Sequence, residues 1–162
     1  MIALLVLGYV TLARLVEMRI AQVNTARLLA MGAYEASPGH YRAILAMHVA
    51  WLGSLFWLAP GRAVVPGWLA VFALLQPLRV WVMAALGTRW TSRIIVVPGE
   101  TLVTGGPFRL TRHPNYAIVV GEVASLPLAF GLVWVASVFS IANAVMLTIR
   151  IRAENAALAH LR

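Results

Sequence analysis

Five stretches of this sequence are apolar over close to the length a helix needs to cross a bilayer, about 20 residues. They cover 1–20, 43–59, 67–87, 116–131 and 132–150. A soluble domain has no use for so much apolar surface: 62% of the 162 residues are hydrophobic and only 11% are charged. The expected fold is therefore an all-α integral membrane protein, a single domain over 1–162 with about five transmembrane helices. The last two runs adjoin without a linker, so they are expected to form a tight helical hairpin turning near Pro127 and Gly131. Residues 1–13 are apolar but no small-residue cleavage site follows them, which reads as a membrane anchor rather than a signal peptide.

The charge pattern orients these spans. All thirteen basic residues are arginine and all five acidic ones are glutamate, giving a net charge of +8. The arginines are dispersed between apolar runs rather than gathered on one polar face, so nucleic acid is not the expected partner. Four lie in or beside the first connection, four in the third and three at the C-terminal end; the second connection holds only Arg62 and the fourth none. Positive charge favours the cytoplasmic side, so the N-terminus is expected outside and the C-terminus in the cytoplasm. The absence of cysteine excludes disulfides and thiolate chemistry. The four histidines, 40, 48, 113 and 160, form no ligand pair, so no metal is expected.

Polar residues inside the spans stand out, because ionisable groups in lipid cost several kcal/mol (~3 at the helix centre) unless paired or facing a cavity. Gln76 and Arg79 share a face of the third span, and Glu122 and Ser125 share one on the fourth. On the fifth, Ser140, Asn143, Arg150 and Glu154 form a stripe. Two readings stand beside each other. In one these residues are interhelical glue, with Arg79 pairing Glu122, Asn143 bonding a backbone, and Arg150 pairing Glu154 at i,i+4. In the other they belong to a site.

The stretch "GGPFRLTRHPNY", residues 105–116, crowds glycine, proline, arginine, histidine and tyrosine just ahead of the fourth span. Pro114 suits a first helical turn, with His113 or Thr111 as the cap. The helix start and its flanking arginines then make a receptor for an anionic group, although lipid phosphate is an equally apt partner. Upstream, "RIIVVPGETLV" is expected to fold into a small hairpin about its Pro-Gly turn. Residues 21–42 are expected to form a separate amphipathic helix followed by the turn "SPGHY".

The order of "GGPFRLTRHPNY", a helical hairpin and "RIRAENAAL" resembles the isoprenylcysteine carboxyl methyltransferase family and its phospholipid-methyltransferase relatives, over roughly 70–158. Gly106, Pro107 and Phe108 match the family's turn. Arg112, His113, Pro114 and Tyr116 match its central motif, and Arg150 or Arg152 with Glu154 matches its terminal element. The resemblance implies an enzyme using S-adenosylmethionine at the cytoplasmic surface. The cofactor would be held by Val103, Gly106, Arg112, His113, Pro114, Tyr116, Arg152 and Glu154. It implies methylation of an oxygen, carboxylate or phenol/enol, on a small lipophilic acceptor, with membrane lipids as surroundings. Arg79, Trp90, Arg93 and Asn143 are the candidate acceptor contacts. Glu122, Arg150 and Tyr116 are the candidate catalytic groups, Glu122 being the base for a phenol or enol. Two departures from the pattern exist: Asn155 replaces the second glutamate of the terminal element, and only eight residues follow Glu154. An NADPH-dependent membrane reductase related to steroid reductases, or a non-catalytic lipid-binding protein, are the alternatives.

Overall fold

The computed structural model describes residues 1–37 and 39–158. Five α-helices appear among them: α1 (Ile2–Ala30), α2 (Gly39–Leu58), α3 (Pro66–Leu86), α4 (Pro114–Leu128) and α5 (Val133–Ala157). Two short strands, β1 (Tyr34–Glu35) and β2 (Ile95–Val96), pair antiparallel. Proline marks two of the helix starts, Pro66 for α3 and Pro114 for α4, where its fixed φ fits and its missing N–H costs nothing.

Three helices are long and apolar enough to cross a membrane: α2, α3 and α5. The other two expected spans fall short of that measure for physical reasons. α1 has the length, but Arg14, Glu17 and Arg19 interrupt its apolar half. α4 has only 15 residues, about 22 Å at ~1.5 Å per residue, against a hydrocarbon core about 30 Å thick.

α3, α4, α5 and α2 pack in that order, and α1 lies along α2. Close approach of α3 and α4 depends on Gly121, where a Cβ would stand 2.7 Å from Leu75 Cδ1. The α4–α5 hairpin turns as expected. Pro127 is still helical, Gly131 takes φ +65, and the Leu132 and Gly131 amides donate to the Pro127 and Leu128 carbonyls at 2.9 and 3.0 Å. The Val65 amide of the α2–α3 connection donates to Ala129 O at 2.8 Å, which fixes both turns at the same end of the bundle.

The interior is layered. Leu7, Val10, Leu55, Phe72, Leu126 and Phe130 form the main apolar core towards the turn end. Ala21, Val82, Trp90 and Ile118 form a smaller one towards the other, arginine-rich end. Between them lies a charged layer. Arg14 donates to Glu17 and Glu122 at 2.6 and 2.7 Å, and Arg79 donates to the same two carboxylates at 2.8 and 2.9 Å. Gln76 adds a bond to Glu122 at 3.1 Å. Outside, large apolar side chains such as Leu74, Trp134 and Ile141 are exposed, as lipid-facing surface requires.

Two local expectations are corrected. The amphipathic helix expected over part of 21–42 is the last third of α1, which runs unbroken to Ala30 because nothing before Gly32 stops it. The hairpin expected within 93–103 forms only its turn: Gly99 takes φ +78 and the Glu100 amide donates to Val97 O at 3.3 Å. β2 pairs instead with β1, which seats Val96 in the interior.

Candidate functional site

The site is built where α4 begins and α5 ends. A 3₁₀ turn over Gly106–Arg109 precedes α4 and packs on α3; Gly106 has φ +58, and a Cβ there would meet Ala85 and the Trp81 indole at 3.5 Å. Pro107 is buried beneath it. His113 caps α4 through its backbone, not its side chain, which leaves the imidazole free to stack on Tyr116 one turn on, ring centres 5.2 Å apart and planes at 16°.

α5 brings Arg150 and Glu154 to the same place. The Tyr116 hydroxyl donates to Glu154 Oε2 and accepts from Arg150 Nε at 2.9 Å. Arg150 also donates to the Ser92 carbonyl at 2.9 Å, and His113 Nδ1 lies 3.6 Å from Glu154 Oε1. The i,i+4 ion pair expected between Arg150 and Glu154 is therefore replaced. Both reach across to Tyr116, because they face α4 and not open solvent.

The α3–α4 connection closes the other side. Arg89 donates to Thr101 O and pairs with Glu100, each at 2.6 Å, holding the loop after the Pro-Gly turn. Arg93 pairs with Glu35 at 2.8 Å and lies over the Tyr41 ring at 5.2 Å, tying the α1–α2 connection to the same wall. Asn24 of α1 donates to the Trp90 and Gly87 carbonyls at 2.9 and 3.3 Å.

These walls line an open-mouthed cavity of about 540 Å³, a volume suited to one small-molecule ligand or cofactor. Of the residues expected to hold the cofactor, Val103, Arg112, His113, Pro114, Tyr116 and Glu154 line it; Gly106 and Arg152 do not. Arg150, Trp90 and Arg93 line it too. Arg79, Glu122 and Asn143 stand outside, the first two in the charged layer and Asn143 buried on α5. Arg89, Glu100, Thr101 and Leu102 were not singled out from the sequence, where only the loop's position just ahead of Val103 pointed to them. Arg14 and Glu17 were visible as charges in an apolar run and pair with each other at i,i+3, but their other partners, Glu122 and Arg79, lie far off in sequence.

The arrangement puts both signs of charge around a stacked His–Tyr pair at the foot of a helix. The model of the isoprenylcysteine carboxyl methyltransferase (ICMT) family matches residues 68–160, which takes in α3, the cavity loop, the His113–Tyr116 turn and α5. The chain belongs to the ICMT family. As an ICMT-family protein it is a methyltransferase, and its three long apolar helices fit a membrane protein. It is also 36% identical over 159 residues, 95% of either chain, to "Uncharacterized protein YpbQ" of Bacillus subtilis (strain 168). No solved structure matches it. The ICMT match begins within α3, so α1, with Arg14, Glu17 and Asn24, lies outside the matched residues.

Proposed function

We propose that the protein transfers a methyl group from S-adenosylmethionine to an oxygen of a lipophilic acceptor taken from the membrane. The observation that carries this reading is the joining of His113 and Tyr116 on α4 to Arg150 and Glu154 on α5 at the wall of one cavity.

The donor set fits such a cofactor. A zwitterion needs cations for its carboxylate and an anion for its ammonium; Arg89, Arg112 and Arg150 line the cavity beside Glu100 and Glu154. The stacked His113–Tyr116 rings offer an aromatic face to a purine or a sulfonium. When bound, the cofactor supplies an electrophilic methyl group. The chain itself supplies placement. The Ser92 carbonyl and the Tyr116 hydroxyl fix Arg150, and Tyr116 fixes Glu154, so the charged groups are set before ligand arrives. Trp90, Leu86 and Phe108 contribute to the apolar part of the wall.

Most of the rate gain comes from bringing together two reactants that live in different phases. A carboxylate acceptor arrives ionised and needs an arginine to hold it, not a base. A phenol or enol must lose its proton, and of the two carboxylates that line the cavity, Glu100 pairs with Arg89 while Glu154 stands beside His113 and Tyr116. Glu122, the base expected from sequence, instead accepts bonds from two arginines and Gln76. The arginine distribution supports a cytoplasmic cavity and an outside N-terminus, and the Bacillus subtilis relative supports a bacterial membrane.

Calorimetric titration of the purified protein with S-adenosylhomocysteine and with NADPH tests the cofactor. Saturable binding of the first, lost in His113→Ala, is expected. Binding of NADPH alone would turn the reading towards a reductase, and binding of neither towards a lipid-binding protein. Labelled methyl donor and a host lipid extract, followed by mass analysis, then identifies the acceptor.

A further inference from the structure

The turn that leads into α4 carries surface that the bundle does not use. Between Glu100 and Glu122 the sequence has no acidic residue, yet it has Arg109 and Arg112. Both arginines are exposed, and neither guanidinium has a hydrogen-bond or ion-pair partner among the described residues. Leu110 stands between them with 78% of its surface exposed. It is not a frayed end. Its amide donates to Pro107 O at 3.1 Å, the Phe108 amide donates to Gly105 O at 3.2 Å, and Pro107 is buried.

What the turn packs on sets its depth. α3 presents Trp68, Val71, Leu74, Leu78 and Trp81 outward at intervals of three or four residues, one exposed apolar stripe along a helix able to cross a membrane. Gly106 sits against the end of that stripe, where a Cβ would meet the Trp81 indole nitrogen and Ala85 at 3.5 Å. α3 has 21 residues, about 31 Å at ~1.5 Å per residue, which matches a hydrocarbon core about 30 Å thick. Its end therefore falls where hydrocarbon gives way to headgroups, and the turn on Trp81 and Ala85 lies within about 8 Å of that end. On the other flank α4 begins, with Ala117 and Val120 exposed.

That level suits all three side chains at once. Leu110 gains by leaving water, whereas an unpaired arginine carried into hydrocarbon is costly. At the interface Leu110 enters the acyl boundary while Arg109 and Arg112 stay among phosphates. We propose that the segment Arg109–Arg112 binds the headgroup of an anionic phospholipid, with the two guanidinium groups on its phosphate and Leu110 among the acyl chains. Two unpaired cations with no carboxylate in the same segment favour a headgroup of net negative charge over a zwitterionic one, whose ammonium would meet only cations. Arg112 lines the functional cavity and Arg109 does not, so the lipid stands at the cavity mouth and sets its depth in the bilayer. The headgroup site does not depend on the methyl-transfer reading.

The test exploits the lack of native cysteine. The full chain carries one small apolar fluorophore through Leu110→Cys, or in a second protein through Val138→Cys on the exposed face of α5. Each is placed in phosphatidylcholine nanodiscs holding the same fraction of one quencher, phosphatidylglycerol or phosphatidylcholine with a nitroxide high on its acyl chain. Quenching should report the phosphatidylglycerol probe as about fivefold enriched over phosphatidylcholine at position 110, the effect of one arginine at an anionic surface. Adding Arg109→Gln and Arg112→Gln should bring the two probes level there. At position 138 the probes should quench equally in both backgrounds, which also reports an intact bundle. Absence of quenching at position 110 by either probe puts the turn in water and overturns the proposal. Equal quenching by the two probes overturns it too, as does a preference that survives loss of both arginines or is matched at position 138.

Discussion

At the residue scale the molecule separates two sets of charges that a sequence shows as one scatter. Tyr116 organises the first. Its hydroxyl is the shared partner of Arg150 and Glu154, so Tyr116→Phe should loosen both and weaken S-adenosylhomocysteine binding about tenfold, the worth of one hydrogen bond to a charged group. The melting temperature should change little, since the ring and its stacking on His113 remain. Glu122 belongs to the second set. Removing its charge in Glu122→Gln leaves Arg79 and Arg14 short of a partner in a buried layer, which should destabilise the protein by about 3 kcal/mol. Thermal unfolding in detergent checks this; a variant that keeps its melting temperature but loses turnover would restore Glu122 as the base. Arg79 and Glu122 were legible from sequence because charges in apolar runs demand partners. That Glu17 and Arg14 complete the layer was not, because the first helix carries no local sign of which neighbour it faces.

At the element scale, proline and glycine were the legible marks. Pro66 and Pro114 start α3 and α4, and Gly131 turns the hairpin, each for a local backbone reason that sequence displays. Pairing across distance was not displayed. β2 has the β-branched residues of a strand, but its choice of β1 over the segment after Gly99 depends on where α1 ends and on the burial of Val96. The site divides the same way: the His113–Tyr116 half sits in one compact motif, while the Arg89–Thr101 clasp exists only after the connection has folded back. Among the described glycines, Gly121 is the one where an added Cβ would come nearest to a neighbour, 2.7 Å from Leu75 Cδ1. Gly121→Val should force α3 and α4 apart at Leu75 and destabilise the bundle by about 1–3 kcal/mol. Chemical unfolding of the purified protein measures the loss, and Leu75→Ala should recover part of it by clearing the space.

At the scale of the whole molecule, the layered interior explains why so apolar a chain has a defined arrangement. Dispersion and close packing hold the two apolar cores, and the charged layer between them sets the depth at which α1, α3 and α4 align. The membrane class was readable from composition and run length alone; the depth register was not, since it comes from contacts among three helices. α4 adds a mechanical consequence. At about 22 Å, roughly three-quarters of a hydrocarbon core, it cannot match an ordinary bilayer, yet its first turn carries His113 and Tyr116 and its last is tied to the α2–α3 connection through Ala129. Where lipid meets it, at the exposed Ala117 and Val120, a thinner bilayer matches the two ends of this short rod better than a thick one. Turnover measured in vesicles of graded acyl length should peak in thin bilayers and fall as the chains lengthen, whereas a rate indifferent to chain length would mean that the hairpin is shielded. Such a profile would make the thickness of the surrounding membrane a control on this methyltransferase.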